Sequence, residues 1–187
     1  MLIRDTLRTA FITAAVLITT IVGCTPAAPD RSAAADSTSA PEPLPVPGFP
    51  DLSTFKEADH GRFFMINRPQ AQGFWFSAPG DLNCGNNAYP DAKFETLSCT
   101  GPRSDKGPGL WSVTVDARAD GPATIEQLFP NPSYAGPVDP APPLLPAGEK
   151  VTADKGVSMC SVTTDGTTAC RLGSHGFILT PDKTTLF

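Results

Sequence analysis

The 187-residue sequence predicts a mainly β fold: a small antiparallel sheet domain, sandwich or barrel-like, stapled by disulfides and holding at most one short helix. Three observations predict it. Apolar residues alternate with polar ones over short runs, which is the period of a strand buried on one face. The chain holds 21 Pro and 16 Gly, which favours turns and extended segments over long helices. Four cysteines remain once the one near the N-terminus is set aside, and an even number in an exported chain reads as a disulfide framework.

The first element is an address. Arg4 and Arg8 form a short positive region, and Thr9 to Gly23 then runs without a charge. That stretch of about 15 residues is shorter than the ~20 a spanning helix needs, and it suits the apolar core of an export signal. It closes on Ile21-Val22-Gly23-Cys24, which resembles the lipobox of bacterial lipoprotein signals. The resemblance implies cleavage after Gly23 and a diacylglyceryl group on the Cys24 thiol. The small residue before the cysteine gives a peptidase access to the bond. Two or more acyl chains make the anchoring stable, because each buried CH₂ contributes about 0.8 kcal/mol and a single chain holds only weakly. The expected location is the extracytoplasmic face of the cell membrane.

Residues 24–50 are expected to form a disordered tether. Ala, Pro, Ser and Thr dominate, and such a segment buries too little to offset its ordering entropy. Prolines at 41, 43, 45, 47 and 50 stiffen its end.

Residues 51–187 form the predicted domain. Leu110 to Val115 alternates, placing Trp111, Val113 and Val115 on one face. Phe63–Ile66, Phe74–Phe76, Gly156–Val162, Thr168–Leu172 and Gly176–Thr180 are further strand candidates. Thr124–Phe129, stopped by Pro130, is the single place that invites a short helix. The proline-rich stretch Gly136–Pro146 reads as an extended surface loop.

Cys84, Cys99, Cys160 and Cys170 allow three connectivities. The local pairs Cys84–Cys99 and Cys160–Cys170 are favoured, because each brackets turn-forming residues: Gly85-Asn86-Asn87 and Tyr89-Pro90-Asp91 in one, Asp165-Gly166 in the other. A zinc site would want close Cys-x₂-Cys pairs, and these cysteines are separated far more widely. No metal or cofactor is expected. The two cysteine hairpins look alike, as two related β halves would.

The stretches Phe49-Pro50-Asp51-Leu52-Ser53, Phe76-Ser77-Ala78-Pro79-Gly80-Asp81-Leu82-Asn83-Cys84 and Cys160 to Cys170 with Ser174-His175-Gly176-Phe177 resemble an actinobacterial, mycobacterial-type family of secreted lipoproteins. The resemblance covers most of the domain. It implies the fold, the disulfides and the location, and no activity. Ser174, where relatives often carry Gly, and Ala78, beside Ser77, depart from the family pattern.

The net charge is -5, and removing Arg4, Asp5 and Arg8 with the signal makes it one unit more negative. An acidic chain with no basic stripe is a poor nucleic-acid binder. Of the two histidines, His60 reads as a loop residue and His175 as a turn residue. A triad could be composed from Ser174 or Ser158 with His175 and Asp182, but only geometry makes such a set catalytic. Trp75 and Trp111 are expected in the core. The leading functional reading is a non-enzymatic envelope binding domain for a glycan, lipid or protein. Its competitors are an envelope hydrolase, which needs an acid/base cleft, and a lipid carrier, which needs an apolar cavity of several hundred Å³.

Overall fold

A computed structural model describes residues 45–64, 73–87, 92–131, 140–153 and 157–187. The export signal, Cys24, most of the tether, Met65 and Ile66, Tyr89-Pro90-Asp91 and part of the Gly136–Pro146 stretch lie outside these residues.

The fold is mainly β, built from two facing sheets. The first is a five-stranded meander, β2 (Trp75–Ala78), β3 (Leu82–Asn87), β4 (Thr96–Arg103), β5 (Gly107–Asp116) and β6 (Thr124–Phe129), hydrogen-bonded in that order and antiparallel throughout. The second is another five-stranded meander, β7 (Glu149–Thr152), β8 (Ser158–Val162), β9 (Thr168–Leu172), β10 (His175–Leu179) and β11 (Thr184–Leu186). A two-residue strand, β1 (Lys56–Glu57), joins its edge in parallel with β7.

Each meander carries an apolar row through its middle. In the first sheet Phe76, Cys84, Cys99, Val113 and Ile125 stand opposite one another across five strands. In the second the row is Val151, Cys160, Cys170, Phe177 and Leu186. The favoured disulfides form, Cys84–Cys99 and Cys160–Cys170, and each joins the second and third strands of its meander. Their Cα atoms are 4.0 and 4.1 Å apart, near the ~4.5 Å of closely opposed antiparallel residues. Closing a loop of about 15 residues this way contributes on the order of 3 kcal/mol by chain entropy.

The rows meet. Cys99 Sγ lies 4.0 Å from Cys170 Sγ, so the two disulfides touch at the centre of the core. Strand β4 packs across β9, and β5 across β10, so equivalent strands of the two meanders face each other. Phe63, Phe74, Phe76, Leu97, Leu145 and Phe177 fill the rest.

Five local expectations are corrected. Thr124–Phe129 is not a helix but strand β6. A helical turn here would gain little from so few bonds, whereas pairing with β5 lets Ile125 extend the row beside Val113. Gly85-Asn86-Asn87 belongs to β3 rather than to a turn. Gly85 is needed there: a Cβ would stand 2.8 Å from the Phe74 carbonyl oxygen and 3.3 Å from Trp75 Cδ1. Phe63 ends a one-turn helix, α1 (His60–Phe63), whose N-terminus is capped by the Asp59 carboxylate accepting from the Gly61 N–H at 3.1 Å. His60 therefore opens a helix instead of sitting in a loop. Finally, the described end of the 136–146 stretch is more than surface loop. Leu145 is buried in the core, and its N–H donates to the Ser77 carbonyl along the free edge of β2.

The hairpin signal Asp165-Gly166 does turn the chain between β8 and β9. Gly166 takes a φ of +82°, and its N–H donates to the Thr163 carbonyl at 3.1 Å.

Candidate functional site

The composed triad does not assemble. His175 opens β10, while Asp182 lies in the turn beyond its far end, where its carboxylate accepts from the Thr180 hydroxyl at 2.8 Å. Five strand residues at about 3.4 Å each separate the two ends. Ser174 sits with Gly173 in the β9–β10 turn, and the turn delivers Phe177 into the core opposite Cys170. Ser158 is fully buried and engaged elsewhere.

What engages Ser158 is a buried polar cluster between the sheets. The Asn86 Nδ2 donates to Glu95 Oε1 and to Ser158 Oγ, both at 2.8 Å, and the Ser158 hydroxyl donates to the same carboxylate oxygen. The Phe74 N–H closes the set by donating to Asn86 Oδ1 at 2.7 Å. All three side chains are at most 2% exposed, so the cluster pins β3 and β8 to the residue leading into β4 and is not a site open to substrate. A buried polar group is tolerated where its hydrogen bonds are made, and here each side chain has a partner.

At the opposite end of the sandwich the β2–β3, β4–β5, β8–β9 and β10–β11 turns surround a cleft of about 650 Å³. Pro79, Leu82, Pro102, Pro108, Leu179 and Pro181 make its lining largely apolar. Arg103 lies at its base but is spent on structure. Its Nη2 donates to the Thr180 carbonyl at 2.8 Å and its Nε to the Thr184 hydroxyl at 3.0 Å, tying the first sheet to the second. Asp105 completes this clasp, accepting from the Thr184 N–H at 2.8 Å. Partial burial pushes the Asp105 carboxyl up, but the bonds from Thr184 with Arg103 and Lys106 outweigh it and hold the group below its ordinary value.

The outer faces of the two sheets differ. On the second sheet the outward residues Ser161, Ala169 and Ile178 are buried, and the chain leading into the domain reaches Ile178 at Gly48. Phe49 meets the Phe187 ring edge-on at 5.6 Å and sits 5.7 Å beneath the Arg171 guanidinium, and Lys150 donates to the Leu52 carbonyl. The ordered domain thus reaches back past residue 51.

On the first sheet two rows face outward: Trp75, Gly85, Ser98, Thr114 and Thr124, then Ser77, Asn83, Thr100, Ser112 and Glu126. Thr124 and Glu126 are exposed, Ser112 is buried, and the others are partly exposed. Trp75 is therefore not a core residue. Phe76 and Ala78 take the inward positions of β2, which turns Trp75 outward against Gly85. Trp111 shares the parity of Val113 and Val115 but is not a core residue either: it is half-buried, its Nε1 donating to the Gly107 carbonyl at 3.2 Å.

No family model matches the sequence, and no curated protein or solved structure matches it.

Trp75, expected in the core, is the residue whose facing the sequence does not give by size alone. The signal was there: Phe76 and Ala78 alternate with Trp75 and Ser77, but the run Phe74-Trp75-Phe76 reads as uniformly apolar unless its parity is set by Ala78. The four cysteines are in disulfides and hold no metal. Among the described residues no three of His, Cys, Asp and Glu gather closely enough to hold one either.

Proposed function

We propose that this chain is a lipid-anchored cell-envelope protein, held at the extracytoplasmic face through Cys24, whose β sandwich is a non-enzymatic binding domain. The observation that carries the reading is the lipobox Ile21-Val22-Gly23-Cys24 closing a charge-free stretch behind Arg4 and Arg8. Two disulfides in the core fit an oxidising compartment. The resemblance to actinobacterial secreted lipoproteins points the same way. The end of the tether packs on the sandwich through Phe49, which meets Phe187 and Arg171, so the anchor and the domain are joined without a separate module between them.

Cys24→Ala tests the anchor. The variant is expected to lose fatty-acid labelling and to accumulate as uncleaved precursor. Labelling and membrane fractionation equal to wild type would overturn the reading.

A further inference from the structure

We propose that the four core cysteines form one thiol–disulfide exchange unit, in which opening either hairpin disulfide lets Cys99 and Cys170 bond across the two sheets. Neither the anchor nor the binding role enters into it.

Cys99 lies on β4 and Cys170 on β9, the strands that pack across one another, and their Sγ atoms are 4.0 Å apart. Both residues are buried. The sheets come close at this crossing: Cα atoms of β4 and β9 lie within 8 Å of each other, where stacked sheets usually stand ~10 Å apart. Bringing the two sulfurs to the ~2 Å of a bond takes about 1 Å of movement from each side, or a rotation of one side chain. The flanking positions are apolar, with Val113 opposite Cys99 and Phe177 opposite Cys170. A sulfur freed here therefore finds two reaction partners, its own strand neighbour and the sulfur across the core.

The chemistry balances with a dithiol as reductant. The dithiol opens Cys84–Cys99, giving two electrons and two protons to those sulfurs and becoming a disulfide itself. The Cys99 thiolate then attacks Cys170 Sγ. The Cys99–Cys170 bond forms, the Cys160–Cys170 bond breaks, and the leaving Cys160 sulfur takes up the proton that Cys99 released. This second step moves no net electrons. Opening Cys160–Cys170 first reaches the same product, with Cys170 attacking Cys99 and Cys84 leaving. The product holds one inter-sheet disulfide and thiols at Cys84 and Cys160. Its bond spans 71 residues, where the hairpin bonds span 15 and 10. By chain entropy a loop of that length favours the folded state roughly tenfold more than either short one. The sheets, each stapled only within itself in the oxidised protein, become tied to one another. A protein that has lost one disulfide thus keeps its sandwich.

The test begins with the full chain in detergent, treated with dithiothreitol, quenched at intervals with N-ethylmaleimide and mapped as non-reduced peptides. The partly reduced protein should include a species with Cys99 linked to Cys170 and label on Cys84 and Cys160. A map without that link at any interval overturns the proposal. Cys84→Ser/Cys160→Ser then leaves Cys99 and Cys170 as the remaining cysteines of the domain. In glutathione buffer they should pair at least tenfold more readily under native conditions than in guanidinium, and the bond should raise the melting temperature. Equal pairing in the two solvents, or two persistent thiols in the folded variant, overturns the proposal. If the double variant does not fold, Cys84→Ser alone, which keeps Cys160–Cys170 as a staple, gives the reading. Its free thiol should distribute between Cys99 and Cys160 with no reductant added, and a thiol that stays wholly on Cys99 overturns the proposal.

Discussion

The two meanders are alike where they touch and unlike where they do not. Both run five strands in sequence order, both tie their second strand to their third with a disulfide, and both present the second cysteine of the pair to the other sheet. Counting two residues either side of the first cysteine shows where the likeness ends. In the first meander the inward neighbours of Cys84 are Leu82 and Asn86; in the second those of Cys160 are Ser158 and Val162. Asn86 and Ser158 meet at one end of the sandwich and form the buried pin with Glu95. Leu82 belongs to the other end, where the residue standing four before the second cysteine is Gly166 instead of Glu95. One end is therefore filled and hydrogen-bonded, and the other is left with a cleft. Two nearly equivalent sheets yield two different ends because three positions differ in side-chain size and polarity.

If the rows are equivalent in depth, the cost of truncating them should follow side-chain size alone. Phe177 and Val113 occupy the same place, each on the fourth strand beside the second cysteine. Phe177→Ala is expected to destabilise by about 3–5 kcal/mol and Val113→Ala by about 2 kcal/mol, the latter being two buried methyl groups plus a small cavity. Urea unfolding with an unchanged m-value measures both. A Val113→Ala loss as large as that of Phe177→Ala would break the equivalence, because depth would no longer be shared.

The two ends can be separated the same way. Ser158→Ala leaves the Asn86 amide and the Glu95 carboxylate each one partner short in a dry interior, which costs about 1–3 kcal/mol. Leu82→Ala at the corresponding position removes more apolar volume but borders the open cleft, so its loss should fall near the low end of the 2–5 kcal/mol usual for Leu→Ala. A His175→Ala variant should cost less than either, since the ring is only half-buried at the start of β10. Thermal melts of the three variants rank them. A negligible effect of Ser158→Ala would mean that the pin does not hold the sheets.

How much of this could be read beforehand follows from how local each cause is. The disulfide pairing was legible because Asp165-Gly166 and the short separations are local signals, and Leu110 to Val115 was legible because alternation is local too. Thr124–Phe129 was not: its apolar spacing suits one helical turn as well as a strand, and the deciding partner, Val113, is supplied by β5. Gly85-Asn86 reads as a turn by composition, yet Asn86 is drawn into β3 by Glu95 and by Ser158, which is 72 residues away. For Trp75 size argues for the core, and the parity of β2 overrides size. As for function, the anchor is written in contiguous residues, whereas the contact between the two disulfides is assembled from separate sheets and exists only after folding.

The clasp beside the cleft gives the smallest effect and a pH signature. Asp105 bonds the Thr184 backbone and hydroxyl across the sheets, and its carboxyl titrates below its ordinary value of 3.8 in the folded protein. Above pH ~4 the group is ionised in both states and its stabilisation is fully present. As pH falls below that, the unfolded chain takes up the proton first, so stability declines and the contribution is gone once pH passes below the folded value. Asp51, Asp116 and Asp165 are depressed as well, Asp116 to about 2 by its bonds from Arg118, so the wild type should lose stability steadily from pH 4 towards pH 2. Asp105→Asn keeps those three and removes one. At pH 6 it should be less stable than wild type by about 1 kcal/mol, at the upper limit for a solvent-screened pair. The gap should narrow as the pH falls below 3.8. Unfolding curves for both proteins at half-unit steps across that range would show it. A gap that stays constant with pH would assign the loss to packing at the β4–β5 turn instead of to the charge, and the clasp would then be a matter of shape.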